Sequence, residues 1–283
     1  MSSNDDQAVT VQPVSEAVGA SNLHRWLAPV PDAAWTEIAE EASRTFRRNV
    51  AGRRVVDVRG PLGVEAAAAN TGHMTTIEAP GDGIRSRLRQ VAPLVEVRVP
   101  FTVQRDAVDD VLRGSQDSDW QPVKDAATTL ALAEDRAIFE GYPAAGIGGL
   151  GPDSDNEPVS LPGDPRELPD AVAHGVSELR LAGVEGPYAL VLDAELYTEV
   201  SETRDHGYPI RAQLERMLES VVWAPALSGG YLVTTRGGDH ELVLGQDVSI
   251  GYLAHDADTV ELYLQESLTS LAYTAEASVV LTR

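Results

Sequence analysis

Apolar residues recur at helical spacing in several stretches of this chain and alternate at strand spacing in others. Over residues 32–50, Trp35, Ile38, Ala39, Ala42, Phe46 and Val50 fall on one stripe of a helix. Asp32 is placed to cap its start, and Gly52 stands where such a helix stops. Residues 55–58 form a short β-branched run closed by Arg59-Gly60-Pro61, which predicts a strand and then a turn. Residues 62–93 are broken by Ala, Gly and Pro with weak periodicity, and predict an extended excursion or hairpin. Residues 94–103 alternate apolar and polar side chains, as a half-buried strand does. Asp117, Ser118 and Asp119 offer caps to a long helix running to Phe139, with Val123, Ala127, Leu130, Ala131, Glu134 and Ile138 on or near one face and Gly141 at its end.

From Gly146 the texture changes to loops rich in Gly, Pro and Asp. Within them lie predicted helices at 168–181 and 210–218 and predicted strands at 188–192 and 231–235, which read as a separate α/β block. Residues 242–244, 248–252, 260–264 and 268–281 are strand-like and are expected to return to the earlier sheet. The class is α+β with a discontinuous architecture.

Composition narrows the function. A chain of 283 residues with 43% hydrophobic content can build one large core or two moderate ones. No run approaches the ~20 apolar residues of a membrane helix. The first twenty residues carry Asp5, Asp6 and Glu16 but no Lys or Arg, unlike a signal peptide, so a cytoplasmic location is expected. Without cysteine there is no disulfide, thiolate metal site or Cys nucleophile. The formal net charge is -22, and Lys124 is the one lysine. Nucleic acid is a poor partner for such a chain, because that affinity rests on basic contacts to phosphate. The acidity fits a high-salt cytoplasm, a cation-gathering surface, or coding bias without functional meaning. Against it, Arg44, Arg47, Arg48, Arg53 and Arg54 place five of the 22 basic residues within one short stretch.

No catalytic or metal site assembles from the motifs. Gly146-Ile147-Gly148-Gly149-Leu150-Gly151 matches the dinucleotide pattern, but a helix enters it and an Asp-rich loop leaves it, so it reads as a joint. The pattern of a nucleophile elbow is not completed around Ser177. The six histidines are scattered, with none paired at metal-ligand spacing.

Several blocks in a fixed order carry a resemblance: LAPV, AW and AGRRVVDV near the start, then RVPFT, EDRAIFEGY, GVEGPYALVL, HGYP, TTRGGD and LGQDVSIGYLAHD. Together they resemble the encapsulins, shell proteins with the tailed-bacteriophage major-capsid fold. The similarity runs from about residue 22 to the C-terminus and is strongest toward actinobacterial shells whose guest is a dye-decolourising peroxidase. It implies a non-enzymatic shell protein that assembles with itself, about 60 copies in the smallest icosahedron. The implied guest is such a peroxidase or a ferritin-like iron-handling protein, with no nucleic acid or membrane partner. The implied division is an acidic flexible tail at 1–21, a peripheral domain at 22–58, 94–145 and 241–283, an extended loop at 59–93, and an axial domain at 146–240. At this net charge, assembly is expected to loosen in low salt.

The resemblance also places sites. A C-terminal peptide of the guest docks on the lumenal wall at Phe46, Val50, Arg53, Asp57, Val248 and Ile250, so replacing Phe46 with Asp is expected to leave shells intact but empty. Arg204, Asp205, His206 and Tyr208 match the five-fold pore loop, where repeated charges select ions by sign and a histidine adds pH dependence. Some relatives stack a flavin on a tryptophan of the extended loop; Ser86 stands there, so no flavin cofactor is expected. The alternatives are a prophage major capsid protein and an α+β enzyme with an acidic cleft.

Overall fold

The computed structural model describes residues 22–283. The expected acidic tail at 1–21 lies outside the described residues. After a 3-10 turn at Arg25–Leu27, the first helix, α1, spans Asp32–Asn49, with Pro31 rather than Asp32 in the capping position. A second 3-10 turn, Gly52–Arg54, leads into the short strand β1 (Asp57–Arg59). The stretch beyond it is a hairpin of β2 (Ala68–Ile77) and β3 (Ser86–Pro93), paired with each other and, among the described residues, with no other strand.

β4 (Val95–Gln104) begins the main sheet, and α2 (Arg105–Arg113) and α3 (Gln121–Phe139) follow. Later come β11 (His240–Leu244), β12 (Ser249–His255) and the long β13 (Thr259–Ala272). Leu268 of β13 pairs with both Leu244 of β11 and Val95 of β4. So β11 and β12 run one after the other along one edge of β13, while β4 occupies the other. β1 adds in parallel to β11. The apolar stripe of α1, from Trp35 through Ile38 and Ala42 to Phe46, packs with α3 against Phe101, Val103, Val260, Leu262 and Leu264.

The second sheet has the order β5-β14-β10-β6-β9. Its strands are β5 (Val159–Ser160), β6 (Tyr188–Leu192), β9 (Ser220–Trp223), β10 (Gly230–Thr234) and β14 (Ser278–Thr282). Helices α4 (Leu168–Leu181), α5 (Ala194–Glu202) and α6 (Ile210–Leu214) surround it, and β7 (Arg204–Asp205) with β8 (Tyr208–Pro209) forms a separate small hairpin. The last strand departs from expectation: β14 pairs with β10 of the second sheet, and only residues up to Ala272 return to the first. The chain thereby stitches the two sheets together. A shared core of Ile138, Phe139, Val191, Tyr231, Val233, Leu242, Leu244 and Leu268 lies between them.

The glycine-rich run after α3 folds back on the end of that helix. Gly151 N and Leu150 N donate to Phe139 O and Ile138 O at 2.9 Å each, satisfying the last carbonyls of the helix. A Cβ on Gly141 would collide with the backbone of Gly148, so this fold-back needs glycine.

Candidate functional site

Of the residues assigned to the lumenal wall, Phe46, Val50, Val248 and Ile250 come together, but inside the first core and almost without exposure. Phe46 closes the apolar stripe of α1, and Val50 N continues the helix by donating to Phe46 O at 2.9 Å. Val248 and Ile250 belong to the segment that enters β12. The substitution Phe46→Asp would therefore place an unpaired charge inside the first core.

Arg53 is also interior. Its side chain is 7% exposed and forms three ion pairs: with Glu134 Oε2 at 2.5 Å, Asp247 Oδ1 at 2.9 Å and Glu266 Oε2 at 3.2 Å. Its guanidinium lies over the Phe46 ring. Burial by itself would lower its pKa, but attraction and hydrogen bonding to Glu134, with the attraction of Asp247 and Glu266, together outweigh burial and leave it raised. Glu134 and Asp135 stand side by side on α3. Asp135 turns the other way and accepts from Ala51 N and Gly52 N, with the shortest bond to Gly52 at 2.7 Å. Burial pushes its carboxyl up to about 7 despite those bonds. The turn after α1 is thus held by two adjacent acids of one helix. Asp57 lies apart, exposed at the start of β1, where its Oδ2 accepts from Gly238 N at 2.6 Å.

What is accessible beside this core is different. Trp26 and Leu27 are exposed in the 3-10 turn before α1, which lies against β12, and Leu253 is exposed on β12 itself. Tyr252 N donates to Leu23 O at 2.8 Å, tying that turn to the free edge of β12. Arg25 packs its guanidinium 4.2 Å from the Trp35 ring. The resemblance that placed Phe46 does not name Trp26 and Leu27, and helical periodicity passes over them because they precede the helix. A tryptophan outside any apolar stripe was the available signal.

Arg204, Asp205, His206 and Tyr208 do share one structure, the β7–β8 hairpin. His206 and Gly207 both have positive φ, 46° and 86°, so the turn is of the tight kind that suits a two-residue hairpin. It projects the His206 side chain almost wholly into solvent, 3.8 Å from Asp205 Oδ1. Tyr208 turns aside, accepting from Arg216 Nη2 at 2.5 Å.

Among the described residues there is no group of three or more acids and histidines that could hold a metal ion, and no helix is long and apolar enough to cross a membrane. Ser86 opens β3 opposite Ile77.

The family described as "Encapsulating protein for peroxidase" matches residues 20–269. A type 1 encapsulin shell protein of Mycolicibacterium paratuberculosis is 59% identical over 93% of this chain and 99% of its own length. The chain belongs to the encapsulin shell-protein family. The virus-like particle of Pyrococcus furiosus has the same fold, with a TM-score of 0.63 at 15% identity, over 87% of this chain and 98% of that one. The capsid of the myovirus XM1 aligns with a TM-score of 0.51 at 11% identity, over 80% of this chain and 89% of that one. This encapsulin therefore has the tailed-phage major-capsid fold, in the α+β class expected.

Proposed function

We propose that this encapsulin is the repeating wall of a closed icosahedral nanocompartment of about 60 copies or more that encloses a guest enzyme. The supporting observation is the β2–β3 hairpin on a capsid fold. Among the described residues it pairs with no other strand, and it exposes Met74, Ile77, Leu88 and Val91. An isolated two-stranded ribbon is marginal in water, so such an arm needs a surface to lie on, and a neighbouring copy supplies it.

The family description makes a peroxidase the first guest to try, with a ferritin-like protein the second. The guest's C-terminal peptide docks as an extended segment on the wall formed by α1, the Arg25–Leu27 turn and β12. Phe46, Val50, Arg53, Val248 and Ile250 hold that wall from behind, and Asp57 flanks it. Trp26, Leu27 and Leu253 offer the apolar contacts that alternate side chains of a strand-like peptide need. Five-fold related β7–β8 hairpins ring a pore with Arg204, Asp205, His206 and Tyr208, where the acids favour cations.

The test is co-expression with a fluorescent protein that carries the guest peptide. Wild-type shells retain the reporter, and a Trp26→Ala, Leu253→Asp double variant forms shells of the same size without it. Full retention by the variant removes the docking assignment. For the pore, Asp205→Asn shells admit divalent cations more slowly than wild type; equal rates remove its role.

A further inference from the structure

The cluster around Arg53 holds more negative charge than its guanidinium can balance. Glu134 and Glu266 have no exposed side-chain surface, and Asp247 has 10%. Arg53 Nε and Nη2 reach Glu134, Nη1 reaches Asp247, and Nη2 is shared with Glu266 Oε2. Glu266 Oε1 is buried and has no hydrogen-bond partner among the described residues. If all three acids were ionised, one cation would face three anions away from water. A buried group in that position takes up a proton instead of remaining charged.

We propose that Glu266 is held protonated by the fold, and that this proton locks α3, the turn after α1 and β13 together as one clamp. As a neutral acid Glu266 becomes a donor to Glu134, leaving Arg53 to balance Glu134 and Asp247. The clamp also fixes the core behind the wall: Arg53 covers Phe46, and Asp247 Oδ1 accepts from Val248 N at 2.8 Å. Burial and then repulsion from Glu134 raise the Glu266 carboxyl well above its ordinary range, outweighing the attraction of Arg53.

The other charges near the cluster are accounted for. From α3, Asp135 is engaged by Ala51 N and Gly52 N; from the turn, Arg54 donates to Arg47 O. From β4, Arg98 pairs with Glu96 and donates to Gln265 Oε1. From the β11–β12 connection, Gln246 accepts from Gln265 Nε2, and α1 presents the Phe46 ring to Arg53.

The direction of the pH effect follows. A carboxyl raised by folding stabilises fully below its unfolded pKa, and that stability is lost as pH rises through the folded value. The clamp therefore weakens as pH rises through the raised folded value of Glu266.

Thermal unfolding of empty assembled protein from about pH 5 to about pH 9 tests this in wild type, Glu266→Gln and Glu134→Gln. The glutamine at 266 mimics the neutral acid, and the glutamine at 134 removes the charge that repels it. Both variants should give flatter profiles than wild type, by roughly 3 °C per pH unit over the range where the proton is lost. Asp135 titrates alike in wild type and Glu266→Gln and cancels between them; because the charge of Glu134 also raises Asp135, Glu134→Gln is compared with its parent in an Asp135→Asn background. In difference infrared spectra at neutral pH, wild type minus Glu266→Gln should show a buried protonated carboxyl band that bleaches on alkalinisation. If Glu266→Gln does not assemble, the Glu134→Gln profile still decides. Superimposable profiles, or no such band, would overturn the proposal.

Discussion

The guanidinium carbon of Arg53 lies 4.9 Å from the centre of the Phe46 ring, while its nitrogens bind acids from α3, β13 and the segment before β12. One side chain thus joins the first core to a buried ionic cluster. Removing it strands the acids rather than merely losing a contact. Arg53→Leu should cost about 3–5 kcal/mol. Arg53→Lys should recover only part of this, because an ammonium cannot reproduce the forked contact to Glu134. Denaturant unfolding of the three proteins checks both statements.

Asp135 predicts a pH effect at the same junction. Its folded carboxyl is pushed up to about 7, from an unfolded value of 3.8. Its contribution is therefore full below the unfolded value and is lost as pH rises through about 7. Asp135→Asn should remove that part of the slope in a melting-temperature profile. The neighbouring Gly52→Ala should destabilise at every pH, because the new Cβ meets the Ile138 side chain.

The projecting hairpin separates folding from assembly. Register puts Arg87 opposite Thr76 and Arg89 opposite Met74, so both arginines share one face, while Leu88 lies opposite Thr75 on the other. In a chain of net charge -22, an arginine face complements almost any surface of a second copy. A double variant, Arg87→Glu with Arg89→Glu, should keep the circular dichroism of the folded chain but lose large particles by light scattering. Single variants should assemble at high salt and fail at low salt.

Core and docking residues should part company in a loading assay. Phe46→Ala removes a fully enclosed ring and should lower stability by about 3–5 kcal/mol, with shell yield falling alongside reporter loading. Trp26→Ala removes an exposed ring and should lower loading at unchanged yield and melting temperature. Shell yield by size-exclusion chromatography, set against reporter fluorescence per shell, distinguishes the two.

Much of the fold was legible because strong periodicity and clear stops coincide. The helix at 168–181 and the strand at 188–192 stand where they were read, as do the long helix to Phe139 and the hairpin. α2 was missed because it starts directly after β4, with no loop between them. α5 was missed although Asp193 caps it, its side chain accepting from Leu196 N at 2.8 Å. The crossing of β14 into the second sheet could not be read, since an apolar strand does not name its neighbour. The same limit hid the ionic cluster: Arg53 meets Glu134 from 81 residues away and Glu266 from 213. The arginine-rich stretch was visible as a basic island, but local sequence gives no sign that one of its arginines turns inward to buried acids. An apolar stripe likewise marks what is buried: Phe46, placed at the site by the resemblance, lies on the stripe, and the exposed Trp26 lies outside it.

Native mass measurement with negative-stain microscopy of the purified chain tests the central claim most directly. Closed, uniform hollow particles with a mass of about 60 chains or a larger icosahedral number are predicted. A discrete small oligomer or monomer that forms no shell at any salt concentration would contradict it.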